Sequence, residues 1–119
     1  MGEKAVRLEL PWPPSVNHYY RHVGPRVIIS KQGRQYRERV AAIFAASGMP
    51  KLTGDLKITL DLYPPDLRRR DNSNILKALE DALQNAGVYD DDYQLAWHTI
   101  RRREALPPDG LVAMEVSEL

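Results

Sequence analysis

The chain has 119 residues, of which 43% are hydrophobic and 28% charged, and this composition predicts one folded domain over residues 1–119. It contains no cysteine, which excludes disulfides, thiolate metal sites and a cysteine nucleophile. No apolar run is long enough for a membrane span and none resembles a signal peptide, so we expect a cytoplasmic protein with no membrane partner. The net charge of +1 conceals separate clusters of arginine and aspartate.

The first half of the chain predicts two strands, a loop and a helix. Apolar and polar side chains alternate over residues 5–10, which indicates a half-buried strand. Residues 17–22 are interpreted as a polar and aromatic loop, and residues 27–29 as a short strand. Ser30 is expected to cap an amphipathic helix that ends at residues 48–50 and carries a basic outer face of Lys31, Arg34, Arg37 and Glu38.

The second half predicts one helix between strands. Apolar residues recur with helical spacing from Ile75 to Ala86, so a second helix is expected to begin near Asp71 and to end at Gly87. The predicted strands of this half span residues 56–62, 94–102 and 111–116. The order β-α-β-α-β-β predicts an α+β domain in which two helices pack on one small mixed sheet.

Three arginines, Arg68, Arg69 and Arg70, run directly into Asp71 at the predicted start of the second helix. Read alone, this stretch favours Asp71 as a helix cap behind a solvated basic run, because a carboxylate there accepts free backbone N–H groups. The other interpretation is a place where a phosphate and a divalent cation meet, since guanidinium groups pair with phosphate oxygens. Lys77 lies away from the apolar stripe and would then stabilise developing negative charge.

Asp90, Asp91 and Asp92 form a second acidic cluster in the connection to the next strand. They are either a solvated turn or partners of Asp71 in one metal site, if that strand pairs near the end of the strand at residues 56–62. Converging carboxylates repel one another, and Mg²⁺ prefers such oxygen ligands. With the arginines nearby, this second interpretation favours metal-assisted hydrolysis of a phosphodiester.

Two further segments carry groups suited to DNA. Four residues of the loop at 17–22 are candidates for stacking on bases and contacting phosphates, namely Tyr19, Tyr20, Arg21 and His22, although buried tyrosines are an equal alternative. Lys31, Arg34 and Arg37 would supply sequence-independent contacts to the phosphate backbone. The two tryptophans are interpreted as core or dimer-interface residues. The three histidines are expected to have no catalytic role, because no serine or carboxylate partner is placed for them.

Several short motifs follow one another along nearly the whole chain. They are Leu10-Pro11-Trp12-Pro13-Pro14-Ser15, Asn17, Tyr19-Tyr20-Arg21, Arg69-Arg70-Asp71, Asn74, Lys77, Asp81-Ala82-Leu83, Ala86-Gly87, and Asp91-Asp92 with Gln94. In order and spacing they resemble the RusA family of Holliday junction resolvases, small phage-associated endonucleases. The resemblance implies a homodimeric, Mg²⁺-dependent enzyme, with Mn²⁺ able to substitute, that resolves four-way DNA junctions by paired symmetric nicks in recombination and repair. A two-fold symmetric dimer supplies the two sites that paired cuts require.

The resemblance also implies which residues form the site. The essential acids of the family fall on Asp71, position 73 and Asp92, and its essential lysine falls on Lys77. Asp71, Lys77 and Asp92 are therefore the expected catalytic residues, and Asp71 and Asp92 are the expected metal ligands. Ser73 stands where the family carries an acid and brings no negative charge. Ser73 and Asp91 are therefore further candidate ligands, and Asp90 or Asp91 is the hypothetical source of the missing carboxylate.

The same resemblance and the clustered cations suggest a set of DNA contacts. The expected DNA-binding residues are Arg68, Arg69, Arg70, Asn74, Tyr20, Arg21, Lys31 and Arg34. The alternative function is a junction-binding protein of the same family whose catalysis is impaired by Ser73. A third possibility is a domain unrelated to DNA, with ordinary charged surfaces.

Overall fold

The structure is a computed structural model that describes residues 4–119. It contains a four-stranded mixed sheet, two long helices and a two-stranded hairpin. In chain order the elements are β1 (Ala5–Leu10), α1 (Val16–Tyr19), β2 (Tyr20–Val23), β3 (Arg26–Ile29), α2 (Lys31–Ser47), β4 (Leu56–Tyr63), α3 (Ser73–Ala86), β5 (Leu95–Arg102) and β6 (Leu111–Glu118). A short 3₁₀ helix, Asp92–Gln94, precedes β5. The predicted α+β class is confirmed.

The sheet has the strand order β1-β6-β4-β5. Strand β6 is antiparallel to both β1 and β4, whereas β4 and β5 are parallel and are connected through α3. Every second residue of β4 is fully or almost fully buried, and the apolar stripe of α3 belongs to the same core cluster. The alternating and helical patterns of the sequence therefore correspond to the two sides of one hydrophobic core.

The interpretation of residues 17–22 as a loop is wrong. Residues Val16–Tyr19 form one helical turn, and Tyr20–Val23 pairs in antiparallel fashion with Arg26–Ile29 as a hairpin. The physical reason is Tyr19, whose side chain is fully buried and holds this segment on the core. The predicted second helix begins at Ser73, two residues after Asp71, and ends as expected with Gly87 in the left-handed conformation.

A polar network of three side chains joins the helices. The Tyr19 hydroxyl donates a hydrogen bond to the Asp81 carboxylate, and the Arg37 guanidinium donates to both partners at 2.7–2.9 Å. Burial and the Asp81 hydrogen bond raise the pKa of Tyr19, so the hydroxyl stays protonated as the donor. Arg37 was expected on the solvated outer face of α2, but the structure turns it inward toward α3. The network fixes the α1 segment against both long helices.

No helix within residues 4–119 has both the length and the apolar character needed to cross a bilayer.

Candidate active site

A groove of about 450 Å³ opens at the start of α3. Its lining residues are Trp12, Pro13, Ser15, His18, Pro64, Pro65, Arg68, Arg69, Arg70, Asp71, Asn72, Asn74, Ile75 and Arg102. Four arginines thus surround a single carboxylate. Such a setting suits a phosphate group, since guanidinium groups bind its oxygens and one acid remains for a cation. The structure brings together the arginine run, Asp71 and Asn74, as the sequence predicts.

Asp71 is exposed and precedes the first residue of α3. Its carboxylate Oδ1 accepts a hydrogen bond from the Ser73 backbone N–H at 3.1 Å, and its carbonyl accepts from the Asn74 N–H at 3.0 Å. Asn72 occupies the cap position but makes no side-chain capping bond. Asp71 therefore stabilises the helix start with one carboxylate oxygen and leaves the other available to a ligand.

The three arginines before Asp71 differ in solvent exposure and in ion pairing. Arg68 has an 80% exposed side chain, and Arg69 is also exposed. Arg70 is only 20% exposed, because its guanidinium pairs with the Asp66 carboxylate at 2.8 Å and donates to the carbonyls of Asp66 and Arg68. Arg68 makes one longer ion pair, with Asp66 at 3.6 Å, whereas Arg70 holds the loop in shape. The contact of these arginines with DNA stays a prediction.

The three consecutive aspartates also have different surroundings. Asp90 forms an exposed ion pair with Lys51 at 2.6 Å. Asp91 caps the 3₁₀ helix that follows it, in a reciprocal arrangement with a glutamine side chain. The backbone N–H of Asp92 donates to Gln84 on α3, while its carboxylate makes no hydrogen bond or ion pair in the described part of the chain. Asp92 is therefore the acid of this run whose charge is available to a ligand.

The chain reaches Asp71 and Asp92 from opposite ends of α3. Because β5 is parallel to β4, the start of β5 lies beside the start of β4, whereas Asp71 follows the end of β4. The backbone of Asp92 is bound to the Gln84 side chain, and its charge acts on Glu80 and Tyr20, where the charge of Lys77 also acts. Residues 4–119 contain no group of three or more His, Cys, Asp or Glu side chains placed to hold a metal.

Lys77 and Asp92 lie near a histidine–carboxylate pair that the sequence did not reveal. His98 Nε2 is 3.1 Å from Glu80 Oε2, on an 18% exposed glutamate side chain. Burial raises the pKa of Glu80, the paired His98 opposes this shift, and the charges of Asp92 and Lys77 also act on it. Asp92 therefore lies close to the middle of α3, where Lys77 and Glu80 are one turn apart.

The expectation that the histidines lack partners is wrong in two places. His98 has Glu80, and His18 has Ser15, whose Oγ lies 3.0 Å from the His18 Nδ1 atom. Both members of the second pair line the groove. The partner of His98 is distant in sequence and no local pattern points to it. The partner of His18 lies three residues away, at the start of a helix too short to be recognised.

Replacing Glu80 by Gln is expected to change how stability depends on pH. Folded Glu80 binds its proton more tightly than the unfolded carboxyl with its ordinary pKa of 4.5, so the native chain loses stability as pH rises from that value toward the raised folded pKa. Denaturant unfolding of both proteins from acid to neutral pH should therefore show that the free energy of unfolding of the Gln variant increases relative to that of the native chain as pH rises. A constant difference across this range would show that burial does not disfavour the charged carboxylate.

The remaining predicted DNA contacts lie on the hairpin and on α2. Tyr20 is half-buried, and its ring lies edge-to-face with Tyr19 at 4.9 Å between the ring centroids. Burial and then the charge of Asp81 raise the pKa of Tyr20, an effect that Lys77 opposes. Arg21, on β2, is exposed. Lys31 and Arg34 are exposed in the first turn of α2, and Arg34 donates to a backbone carbonyl. These residues lie outside the groove lining, so their role in DNA binding stays a prediction.

Comparison with known proteins identifies the enzyme class of the chain and its family. The model of endodeoxyribonuclease RusA matches residues 11–114. Crossover junction endodeoxyribonuclease RusA of Enterobacteria phage 82 is 46% identical over 74% of each chain, and the proteins of that name from Escherichia coli K12 and Escherichia coli O1:K1 are 44% identical over the same share. The chain is therefore an endodeoxyribonuclease by class. It belongs to the RusA family.

The donor groups fit a hard divalent cation only in part. Asp71 and Asp92 each offer carboxylate oxygen, the ligand type that Mg²⁺ prefers, and Mg²⁺ commonly binds to one or two carboxylates together with water and substrate phosphate. Ser73 adds a neutral hydroxyl on the first turn of α3. The chemistry of these donor groups therefore suits Mg²⁺ or Mn²⁺.

Proposed function

We propose that this protein is a Mg²⁺-dependent endonuclease that resolves four-way DNA junctions by paired symmetric nicks, in recombination and repair within the cytoplasm. The observation that carries the proposal is the family membership over residues 11–114 together with a groove in which Asp71 lies among arginines. Relatives named crossover junction endodeoxyribonuclease support branched DNA as the substrate.

The roles of the side chains follow from their charge and freedom. Arg68, Arg69 and Arg102 bind phosphates on either side of the scissile bond, because they line the groove and are exposed. Asp71 and Asp92 would hold Mg²⁺, which supplies Lewis acidity at the scissile phosphate. Lys77 is exposed and makes no ion pair within residues 4–119, so its ammonium group is free to stabilise the negative charge that develops on the leaving oxygen.

We propose a two-fold homodimer in which each site takes Asp71 from one chain and Asp92 from the other. This arrangement is supported by the topology, in which the segments that carry Asp71 and Asp92 reach α3 from opposite ends within one chain. It also matches the symmetry of the substrate, since a junction cut twice needs two equivalent sites.

The outer edge of β5 is the surface that best fits a second copy. Within residues 4–119 it pairs with no strand, and an open edge is a ready template for pairing. Acids precede β5 and arginines end it, so antiparallel pairing with a second β5 sets opposite charges beside one another. Asp92 of one copy would then lie at the Arg102 end of the other, beside the groove that contains Asp71. Trp97, 55% exposed on β5, would be covered near the two-fold axis.

The proposal is tested by cleavage of a synthetic four-way junction in a Mg²⁺ or Mn²⁺ titration, with linear duplex of the same sequence as the comparison. Symmetric nicks in two opposing strands are expected for the junction, and far slower cutting for the duplex. A chain that binds the junction but never cuts it would instead be the impaired family member that Ser73 suggests. Absence of any salt-sensitive binding would exclude both functions.

Restoring the acid with Ser73→Asp is expected to lower the Mg²⁺ concentration for half-maximal cleavage by about tenfold, because one more carboxylate strengthens a hard-cation site. Calorimetry should show the same gain in metal affinity without DNA. The matched control is Gln35→Asp, which adds the same charge at an exposed position of α2. An unchanged metal dependence and rate would show that position 73 is not a ligand position in this chain.

A further inference from the structure

Leu67 is an apolar side chain held almost entirely in water. It is 92% exposed, the highest value among the exposed large hydrophobic residues of the described chain. It lies between β4 and α3, immediately before Arg68 and Arg69 at the groove. A single exposed leucine needs no explanation, but this one directly precedes the run of three arginines, Arg68 to Arg70.

The loop that carries Leu67 is held rigidly on both sides. The Asp66 carboxylate accepts from the Arg68 backbone N–H at 2.9 Å and pairs with the Arg70 guanidinium at 2.8 Å. The Pro64 carbonyl accepts from the Leu106 N–H at 2.8 Å, which ties the start of the loop to the segment after β5. The loop is therefore ordered before any partner arrives, and binding costs it little conformational entropy.

The charged residues around Leu67 indicate the chemistry of a partner that would bind over this side chain. An apolar protein surface would have to desolvate Arg69 and also Arg68, whose ion pair with Asp66 is long at 3.6 Å, without supplying negative charge, which is unfavourable. DNA offers both an apolar surface for Leu67 and negative charge for the arginines, because apolar base faces lie within a few ångströms of anionic phosphates. Leucine is among the side chains that DNA-bending proteins insert between base steps.

We propose that Leu67 inserts between bases at the branch point of the junction, while Arg68 and Arg69 bind the flanking phosphates. The inference rests on the proposed function, since the branch point is the place where stacking is already interrupted and insertion costs least. Leu67 is thus a positioning and specificity residue: it distinguishes branched from linear DNA and places the scissile phosphates in the groove.

The test uses the full chain without divalent metal and a junction that carries 2-aminopurine at the branch point, whose fluorescence rises when the base unstacks. Native protein should raise the fluorescence, and Leu67→Ala should abolish most of this rise and weaken junction binding about tenfold, with linear duplex affinity unchanged. Leu67→Met should retain the response. The matched control is Leu119→Ala, which truncates another exposed leucine at the end of β6 and should behave as native.

A Leu67→Ala variant that unstacks the branch point as the native chain does would overturn the inference, and so would a native chain that produces no rise. Cleavage of the same junction in Mg²⁺, measured on the same preparations, separates this failure from that of the proposed function. If native protein cuts the junction without unstacking the base, the nuclease function is supported and the insertion of Leu67 is excluded. If native protein unstacks the base through Leu67 without cutting, the insertion is supported and the nuclease function is excluded.

Discussion

Asp71→Asn and Asp92→Asn are each expected to slow junction cleavage by about a thousandfold, while junction affinity stays within a few-fold of native. Asparagine keeps the shape of aspartate, and at Asp71 it still offers an oxygen to the Ser73 N–H, so α3 should begin normally. It removes the negative charge that a divalent cation needs. Gel-based cleavage and binding measured on one labelled junction separate the two effects.

Asp90→Asn is the matched control, because it removes an equal charge from the same acidic run. Asp90 is 71% exposed and paired with Lys51 rather than free. Such exposed pairs contribute little, so cleavage should remain near the native rate. Equal losses at Asp90 and Asp92 would indicate a general effect of charge and would remove the specific role given to Asp92.

Gly33→Ala is expected to destabilise the fold by at least about 2 kcal/mol, although alanine is the better helix former by about 1 kcal/mol. A Cβ at Gly33 would stand 2.4 Å from the Tyr19 carbonyl oxygen and 2.9 Å from Ile29. The Ser30 N–H and hydroxyl already bind that carbonyl, at 2.9 and 3.0 Å, so it cannot move without breaking the helix cap. Denaturant unfolding monitored by circular dichroism gives the change in free energy.

Gln32→Ala provides the comparison for Gly33, since Gln32 lies in the same turn of α2 but is exposed. It should leave the free energy of unfolding within about 0.5 kcal/mol of native. A Gly33→Ala chain as stable as native would show that the α1 segment is not packed on α2 as closely as described.

The elements that the sequence predicted well are those with long, regular patterns. Strand β4 alternates over eight residues, all four of its core positions are buried, and its prediction needed no information about distant partners. In α3 the apolar spacing and the terminal glycine together indicate both the helix and its end. Both predictions depended on local periodicity, because the residues that share one face of a strand or helix are the ones buried against the single core.

The elements that were missed depend on contacts between distant residues. The α1 turn has four residues, too few for a helical period, and it exists because Tyr19 reaches Asp81 and Arg37 on the two long helices. The same contacts turn Arg37 away from the outer face where helical spacing alone places it. Sequence spacing shows which face of a helix a residue shares, but it does not show which residue of another helix it meets.

The candidate site was predicted in its composition but not in its arrangement. The arginine run, Asp71 and Asn74 lie together because they are adjacent in sequence and line one groove. Whether Asp92 joins them depends on the direction of β5, and periodicity is the same for parallel and antiparallel strands. The parallel pairing observed brings the backbone of Asp92 to the Gln84 side chain of α3. Sequence resemblance indicated the acids, whereas the route by which the chain reaches each of them depends on topology.

Cleavage by mixed dimers tests the two-chain site most directly. Asp71→Asn and Asp92→Asn chains with different affinity tags are refolded together, and the heterodimer is purified and given a four-way junction in Mg²⁺. One of its two sites then combines native Asp71 from one chain with native Asp92 from the other, so nicks should appear near the native rate although each variant alone is inactive. If each site were instead built from a single chain, both sites would lack an acid, and a heterodimer that cuts no faster than its parents would contradict the account.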